Sequence, residues 1–329
     1  MAQQVGTEQL HPGDQHEIPS FETHESSESL KGRIRKHYEI ASDYYCVLWG
    51  QHIHHGLFRT ASETKEQAQV NLINYLLEIS ALPTDVKVLD VGCGVGGTSR
   101  FLAREHGADV TGITISGRQV QIARQVTSKE VGDTSAVPPE SSLKYPDREG
   151  KPGGTVRFLE LDAEKMLEHF HPADKEGQPF NCVWISEALS HLPNKELFFS
   201  SSFSLLQGGG SRLVIADWFK EPDLSPEQME VDIKPIEDGM LLPRLYTTDE
   251  YVKMAERAGF NIRQKPIDIS KEVAKTWDIS WSLISSPSLW AFAISQGRDG
   301  LAFLQAFRAM RRGYANGTFR YAVMCFEKP

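Results

Sequence analysis

Cysteine is scarce and scattered along this chain of 329 residues: Cys46, Cys93, Cys182 and Cys325 lie far apart and form no C-x-x-C pair. That spacing excludes a zinc ribbon and a disulfide framework, and it points to a reducing, cytoplasmic setting. Long hydrophobic runs are missing as well, with nothing approaching the roughly 18 consecutive apolar residues of a membrane-crossing helix. Basic charge is in deficit: Lys plus Arg number 35 against 44 for Asp plus Glu, a net charge of −9. Phosphate backbones and anionic lipids repel such a chain, which argues against nucleic acid or membrane as its main partner. The first thirty residues hold no Lys or Arg and no apolar run, only acids such as Glu8, Asp14 and Glu17. They fit neither a signal peptide nor an Arg-rich transit peptide, and residues 1–28 read as a disordered tail.

Apolar residues make up 40% of the chain, enough for a sizeable core. The most informative stretch is Val88-Leu89-Asp90-Val91-Gly92-Cys93-Gly94-Val95-Gly96-Gly97, a buried strand running into a glycine turn that opens a helix. Two ligand classes fit it. Gly92, Gly94 and Gly97 satisfy the dinucleotide spacing G-x-G-x-x-G; Gly92, Gly94 and Gly96 satisfy the D-x-G-x-G-x-G loop of S-adenosylmethionine-dependent methyltransferases. A nicotinamide site expects an acid about 20 residues on, at the end of the next strand. Here that strand, Val110 to Ile115, carries Thr114 and Ser116 instead, which favours the second class.

Around this stretch the periodicity predicts helices over Ser29–Ile40, Thr64–Ala81, Thr98–His106 and Arg118–Val126, with strands near Val156–Asp162, Phe180–Ile185 and Ser211–Ala216. A helix from Thr247 or Thr248 to Ala258, a strand near Ile262–Ile269, helices within 272–314 and a last strand Phe319–Phe326 follow. The expected architecture is α/β: a Rossmann-like, seven-stranded, mostly parallel sheet with helices on both faces. A helical lid occupies 29–80, the cofactor-binding core 81–220 with a mobile insertion at 128–155, and 221–329 add the remaining core strands and a helical cap. The carboxyl ends of parallel strands hold ligands, which places Asp90, Thr114, Asp162, Ser186 and Glu187 on one edge.

The segment Trp49–Gly56, the Asp90–Gly97 loop, Gly112–Ser116 with Gln119 and Gln121, and Glu187 with His191-Leu192-Pro193 resemble the γ-tocopherol methyltransferase-like group, kin to sterol C-methyltransferases and plant alkaloid N-methyltransferases. Pro243, Thr248 to Lys253, Trp277, Gly313-Tyr314 and Lys328-Pro329 extend the likeness to the C-terminus. The resemblance implies S-adenosyl-L-methionine as cofactor and S-adenosyl-L-homocysteine as its product. It implies that Gly92, Gly94 and Gly96 cradle the methionine portion and that Asp90 bonds near its amine. Thr114, Ile115 and Gln119 take the ribose and adenine side, Asp162 and Ala163 the adenine edge with Ser186 nearby, and Tyr38 the methionine carboxylate.

Methyl transfer is an in-line displacement, so the protein must align an acceptor and exclude water. Glu187 and His191 are four apart, the spacing of neighbours on one helical face, and His191 is a candidate general base. His52, His54 or His55 of the lid could serve instead. No metal is expected, since His52, His54 and His55 have no carboxylate or cysteine cluster beside them. The expected partner is a hydrophobic small-molecule acceptor, methylated on nitrogen or carbon in specialised metabolism, with phenolic oxygen or a sterol as the alternatives. Two other classes compete. A catalytically silent scaffold would bind a protein and no cofactor, and an oxidoreductase would bind NAD(P). A homo-dimer through the cap has no motif behind it.

Overall fold

The apolar runs of the sequence become the inner strands of one sheet. A computed structural model describes residues 27–133, 141–148, 150, 152–171, 180–284, 294 and 297–329. The expected tail up to residue 26, residues 134–140 of the insertion, Trp290 and Phe292 lie outside the described residues. In chain order the elements are α1 (Ser27–Trp49), α2 (Lys65–Ser80), β1 (Lys87–Val91), α3 (Gly97–His106), β2 (Asp109–Thr114), α4 (Gly117–Val131), β3 (Leu143–Lys144) and β4 (Thr155–Glu160). Then come α5 (Met166–Phe170), β5 (Cys182–Ser186), α6 (Lys195–Leu205), β6 (Arg212–Lys220), α7 (Pro226–Gln228), a π-turn (Met229–Ile233) and α8 (Lys234–Gly239). The chain closes with α9 (Thr248–Ala258), β7 (Asn261–Asp268), α10 (Ser270–Val273), α11 (Lys275–Ile284), α12 (Arg298–Asn316) and β8 (Phe319–Glu327).

The sheet order is β3-β4-β2-β1-β5-β6-β8-β7, eight strands where seven were expected. The extra one, β3, is a two-residue antiparallel edge that pairs Leu143 and Lys144 with Val156 and Thr155. It comes from the stretch read as a mobile insertion. Leu143 and Tyr145 are buried there, and the Tyr145 hydroxyl donates to Glu130 at 2.6 Å, so this part of 128–155 is packed onto the core. β4, β2, β1, β5 and β6 run parallel; β8 lies antiparallel between β6 and β7.

Alternate residues of the inner strands feed two cores. Val88, Val110, Val156, Trp184 and Val214 meet α2, α3 and α4 on one face. Leu89, Val91, Ile113, Val183 and Ile215 meet α5, α6 and α9 on the other. That is the two-sided burial of a parallel sheet. Local chemistry sets the helix starts: Thr64 and Thr247 each form a capping box, with Gln67 and Glu250 respectively. Ser116 caps α4 by accepting from the Gln119 amide. The first helix runs on through Trp49 rather than ending near Ile40, so the aromatic stretch beyond Tyr38 is helical.

Candidate active site

The turn after β1 is fixed by backbone conformations that favour glycine. Gly92, Gly94 and Gly96 all have positive φ (72°, 54° and 80°). Their surroundings differ. A Cβ on Gly92 would collide with Ala188, and one on Gly96 would lie 2.5 Å from Phe158, whereas one on Gly94 would meet nothing within 4 Å among the described residues. The side-chain direction is thus filled by protein at Gly92, itself exposed, and at buried Gly96, and open at Gly94. Asp90 sits beneath the turn, 2% exposed, its Oδ2 accepting from the Ser99 hydroxyl at 2.5 Å. Burial pushes its carboxyl up to about 6. In this structure it braces the start of α3.

The strand ends supply the rest of the edge. The Thr114 hydroxyl donates to Gln119 Oε1 at 2.5 Å, so these two expected cofactor residues hold each other. Asp162 follows β4 and caps the short turn Ala163–Lys165 by accepting from the Glu164 amide. Helix α1 closes over this edge. Lys31 donates to Asp162 at 2.9 Å and to Glu164 at 2.5 Å, Ser116 donates to Glu39 at 2.8 Å, and Leu30 and Ile34 bury against Leu241 beside Tyr38 and Ile115. Nothing in the sequence marks Lys31, Glu39 or Glu164, because their partners are far away along the chain.

The histidine segment after α1 is clamped from two sides. Gln69 of α2 donates to the carbonyls of His52 and His54 at 2.6 and 3.1 Å, and the Gly56 amide donates to Thr276 of α11 at 3.1 Å. His54 Nδ1 lies 2.8 Å from the His55 carbonyl, which can only accept, so this nitrogen carries the proton. Burial lowers the His54 pKa, which keeps the ring neutral.

Glu187 overturns one expectation. It does not share a helical face with His191: it ends β5 in a left-handed conformation (φ 54°), and the 3₁₀ turn carrying His191 begins only at Leu189. The i,i+4 rule needs a continuous α-helix, which this is not. The partner of Glu187 is His55. Its Oε1 accepts from the His55 amide at 2.6 Å and the Tyr321 hydroxyl at 2.8 Å, and its Oε2 lies 2.9 Å from His55 Nδ1. Burial would raise the Glu187 pKa, but the His55 charge and hydrogen bonds outweigh it and hold the carboxylate below its ordinary value. Tyr321 reaches it because β8 pairs Tyr321 with Trp218 of β6, a register that no local signal announces. Around the His55 ring stand Trp277 at 4.9 Å, Tyr321 at 4.8 Å and Trp218 at 5.9 Å between centroids.

His191 instead faces a cleft lined by Ile34, Tyr38, His191, Gly239, Met240, Leu241 and Phe303. Its ring stands edge-on to Tyr38, centroids 6.2 Å apart. Burial and the nearby Glu187 charge push the Tyr38 phenol up to about 12. Apart from His191 and the Tyr38 hydroxyl, the cleft is apolar. Ser186 and Ala163 lie at the ends of β5 and at the start of the turn after β4, on the expected edge. Among the described residues, no group of three or more His, Cys, Asp or Glu side chains could hold a metal ion. No helix among them is long and apolar enough to cross a membrane.

Known proteins share the fold. Residues 25–145 match the family described as mycolic acid cyclopropane synthetase, and residues 89–214 match a methyltransferase domain. The chain is similar to the chloroplastic tocopherol O-methyltransferase of Arabidopsis thaliana, 26% identical over 92% of this chain and 84% of that protein. It is also similar to sterol 24-C-methyltransferase of Yarrowia lipolytica, 28% identical over 71% of this chain and 55% of that one. Among solved structures, a mycolic acid cyclopropane synthase complexed with SAH and CTAB has the same fold, with a TM-score of 0.71, 16% identity and coverage of 91% and 98% of the two chains.

Proposed function

The chain belongs to the class I S-adenosylmethionine-dependent methyltransferases of the tocopherol and sterol group, and on that premise we propose that it methylates carbon or nitrogen of a hydrophobic small molecule in specialised metabolism. The observation that carries the acceptor reading is the apolar cleft between α1 and α8, closed by Ile34, Met240, Leu241 and Phe303. Such walls take up an acceptor by burying its apolar area and keep water from the reacting atoms.

When bound, S-adenosylmethionine supplies a methyl group already activated on a sulfonium. The residues present fit that cofactor: the open Gly94 position would accommodate the methionine portion, and Thr114, Ile115, Gln119, Asp162 and Ala163, at and after the ends of β2 and β4, would hold the adenosine side. Tyr38 and Ile34 of α1 pack beside Leu241 and Ile115 and would close over the bound cofactor. Glu187 is better suited to hold charge than to take a proton, since three donors reduce the basicity of its carboxylate. Glu187 does not line the cleft, but its charge is felt by Tyr38, which does; from there it would stabilise positive charge developing on the acceptor, which favours an alkene carbon or an amine. His191, exposed to the cleft, supports a second reading: it would accept the proton of a phenol if oxygen were the target. A sterol acceptor remains within the carbon reading.

Transfer of labelled methyl from S-adenosylmethionine to a panel of tertiary amines, prenylated aromatics, sterols and phenols tests this. Label in amines or alkenes is the expected outcome. Label in phenols alone would replace it with the oxygen reading, and no transfer to any member would overturn the apolar-acceptor assignment.

A further inference from the structure

The 3₁₀ turn Leu189–His191 is held from behind by two buried charged side chains. Asp217 of β6, fully buried, accepts the Ser190 amide on Oδ2 at 2.7 Å and its own neighbour's amide, Trp218, on Oδ1 at 2.8 Å. Lys195, in the first turn of α6 and 2% exposed, donates from Nζ to the carbonyls of Ser190 at 3.2 Å and Leu192 at 3.0 Å. Its ammonium also lies over the Tyr246 ring, 4.8 Å from the centroid. The N–H and C=O of one residue, Ser190, are thus gripped by side chains of opposite charge from two different elements.

Burying each of these groups has a large desolvation cost, and a turn at the surface could satisfy the same backbone atoms with water at none. Neither Asp217 nor Lys195 lines the cleft. What they share is the turn, and what the turn delivers to the cleft is His191, whose ring it sets 6.2 Å from both Tyr38 and Trp218. Asp217 also fixes the Trp218 amide, so one carboxylate ties down both the imidazole's turn and the indole's backbone.

We propose that Asp217 and Lys195 are positioning residues for the methyl transfer, clamping Ser190 so that His191 presents one ring orientation to the acceptor. The inference rests on the proposed function in that His191 walls the acceptor cleft there, and on the oxygen reading also takes the proton.

The test begins without an acceptor. In protein labelled with ¹³C at histidine Cε1, the His191 signal is assigned by its loss in H191F, and S-adenosylhomocysteine binding is measured alongside. Lys195→Met keeps the aliphatic stem and removes both donations. It should shift or split the His191 signal, leave the His106 signal in place and keep cofactor affinity within about twofold, and Lys195→Arg should restore the single signal. With an acceptor from the methyl-transfer panel, K195M should lower kcat about tenfold with little change in KM, the size expected for a small misplacement of a reacting group. The H191A/K195M double variant should be no slower than H191A. If K195M loses cofactor binding through misfolding, Asp217→Asn is read in the same way. An unmoved His191 signal, or losses that multiply in the double variant, would overturn the clamp. An H191A variant as fast as the wild type would instead remove His191 from the reaction, leaving the labelled spectra to decide whether the clamp orients it.

Discussion

Glu187→Gln isolates the charge of the carboxylate from its shape. The wild-type side chain accepts at 2.6, 2.8 and 2.9 Å, from the His55 amide, the Tyr321 hydroxyl and His55 Nδ1. Hydrogen bonds to a charged group contribute about 1.5–3 kcal/mol each, neutral ones about 0.5–1.5. Glutamine keeps a carbonyl for the two donors at Oε1, but its amide faces the proton on His55 Nδ1, donor against donor. Weakening two bonds and losing a third removes roughly 3.5–6 kcal/mol. Release from burying a carboxylate returns several kcal/mol, so the net change in stability is small. The effect on rate has no such offset. Removing a fixed group that stabilises developing charge lowers turnover by about 100-fold or more. Thermal denaturation, calorimetry with S-adenosylhomocysteine and initial rates of labelled methyl transfer read the three quantities separately. E187Q with intact cofactor binding and a rate within about threefold of the wild type would refute the electrostatic role.

Other perturbations test the lid, the loop and the histidine segment. Lys31→Met breaks the ion pairs that tie α1 to Asp162 and Glu164, so stopped-flow association of S-adenosylhomocysteine should become faster and lose part of its salt dependence; identical on-rates would contradict a lid that opens there. Gly94→Ala and Gly92→Ala should separate binding from folding. At the open Gly94 position the methyl group costs about 1–2 kcal/mol of left-handed strain and intrudes on the cradle, so affinity falls more than stability, whereas at Gly92 the collision with Ala188 lowers stability as well. Equal melting temperatures for the two would refute the distinction. Burial and neighbouring positive charges lower His52 from 6.5 to about 2. The unfolded chain therefore binds the extra proton between those values, and stability is lost as pH falls below 6.5. His52→Gln should move the acid unfolding midpoint, followed by circular dichroism, to lower pH. An unchanged midpoint would show that His52 does not drive acid unfolding.

Much of the core could be read from the sequence because its signals are local. The strand-turn-helix at Asp90–Gly97, the capping threonines and the apolar strands each depend on neighbours a few residues away, and strand ends then place Thr114 and Asp162 on one edge. The candidate site depends on long-range geometry. Glu187 pairs with His55 across 132 positions and with Tyr321 across 134, and Lys31 meets Asp162 across 131. The four-residue spacing of Glu187 and His191 misleads because a left-handed residue at Glu187 breaks the helical phase before the turn begins. Nothing local in the sequence marks Asp217 and Lys195 as buried; the β6–β8 pairing and the start of α6 show it.

The most direct measurement is a titration of the whole chain with S-adenosylhomocysteine, followed by labelled methyl transfer to the acceptor panel in the same preparation. Micromolar binding at one site that Gly94→Ala weakens, together with label in an apolar amine or alkene, is the predicted result. No binding to the wild-type chain would contradict the cofactor assignment, and binding without transfer to any apolar acceptor would contradict the cleft as the acceptor site.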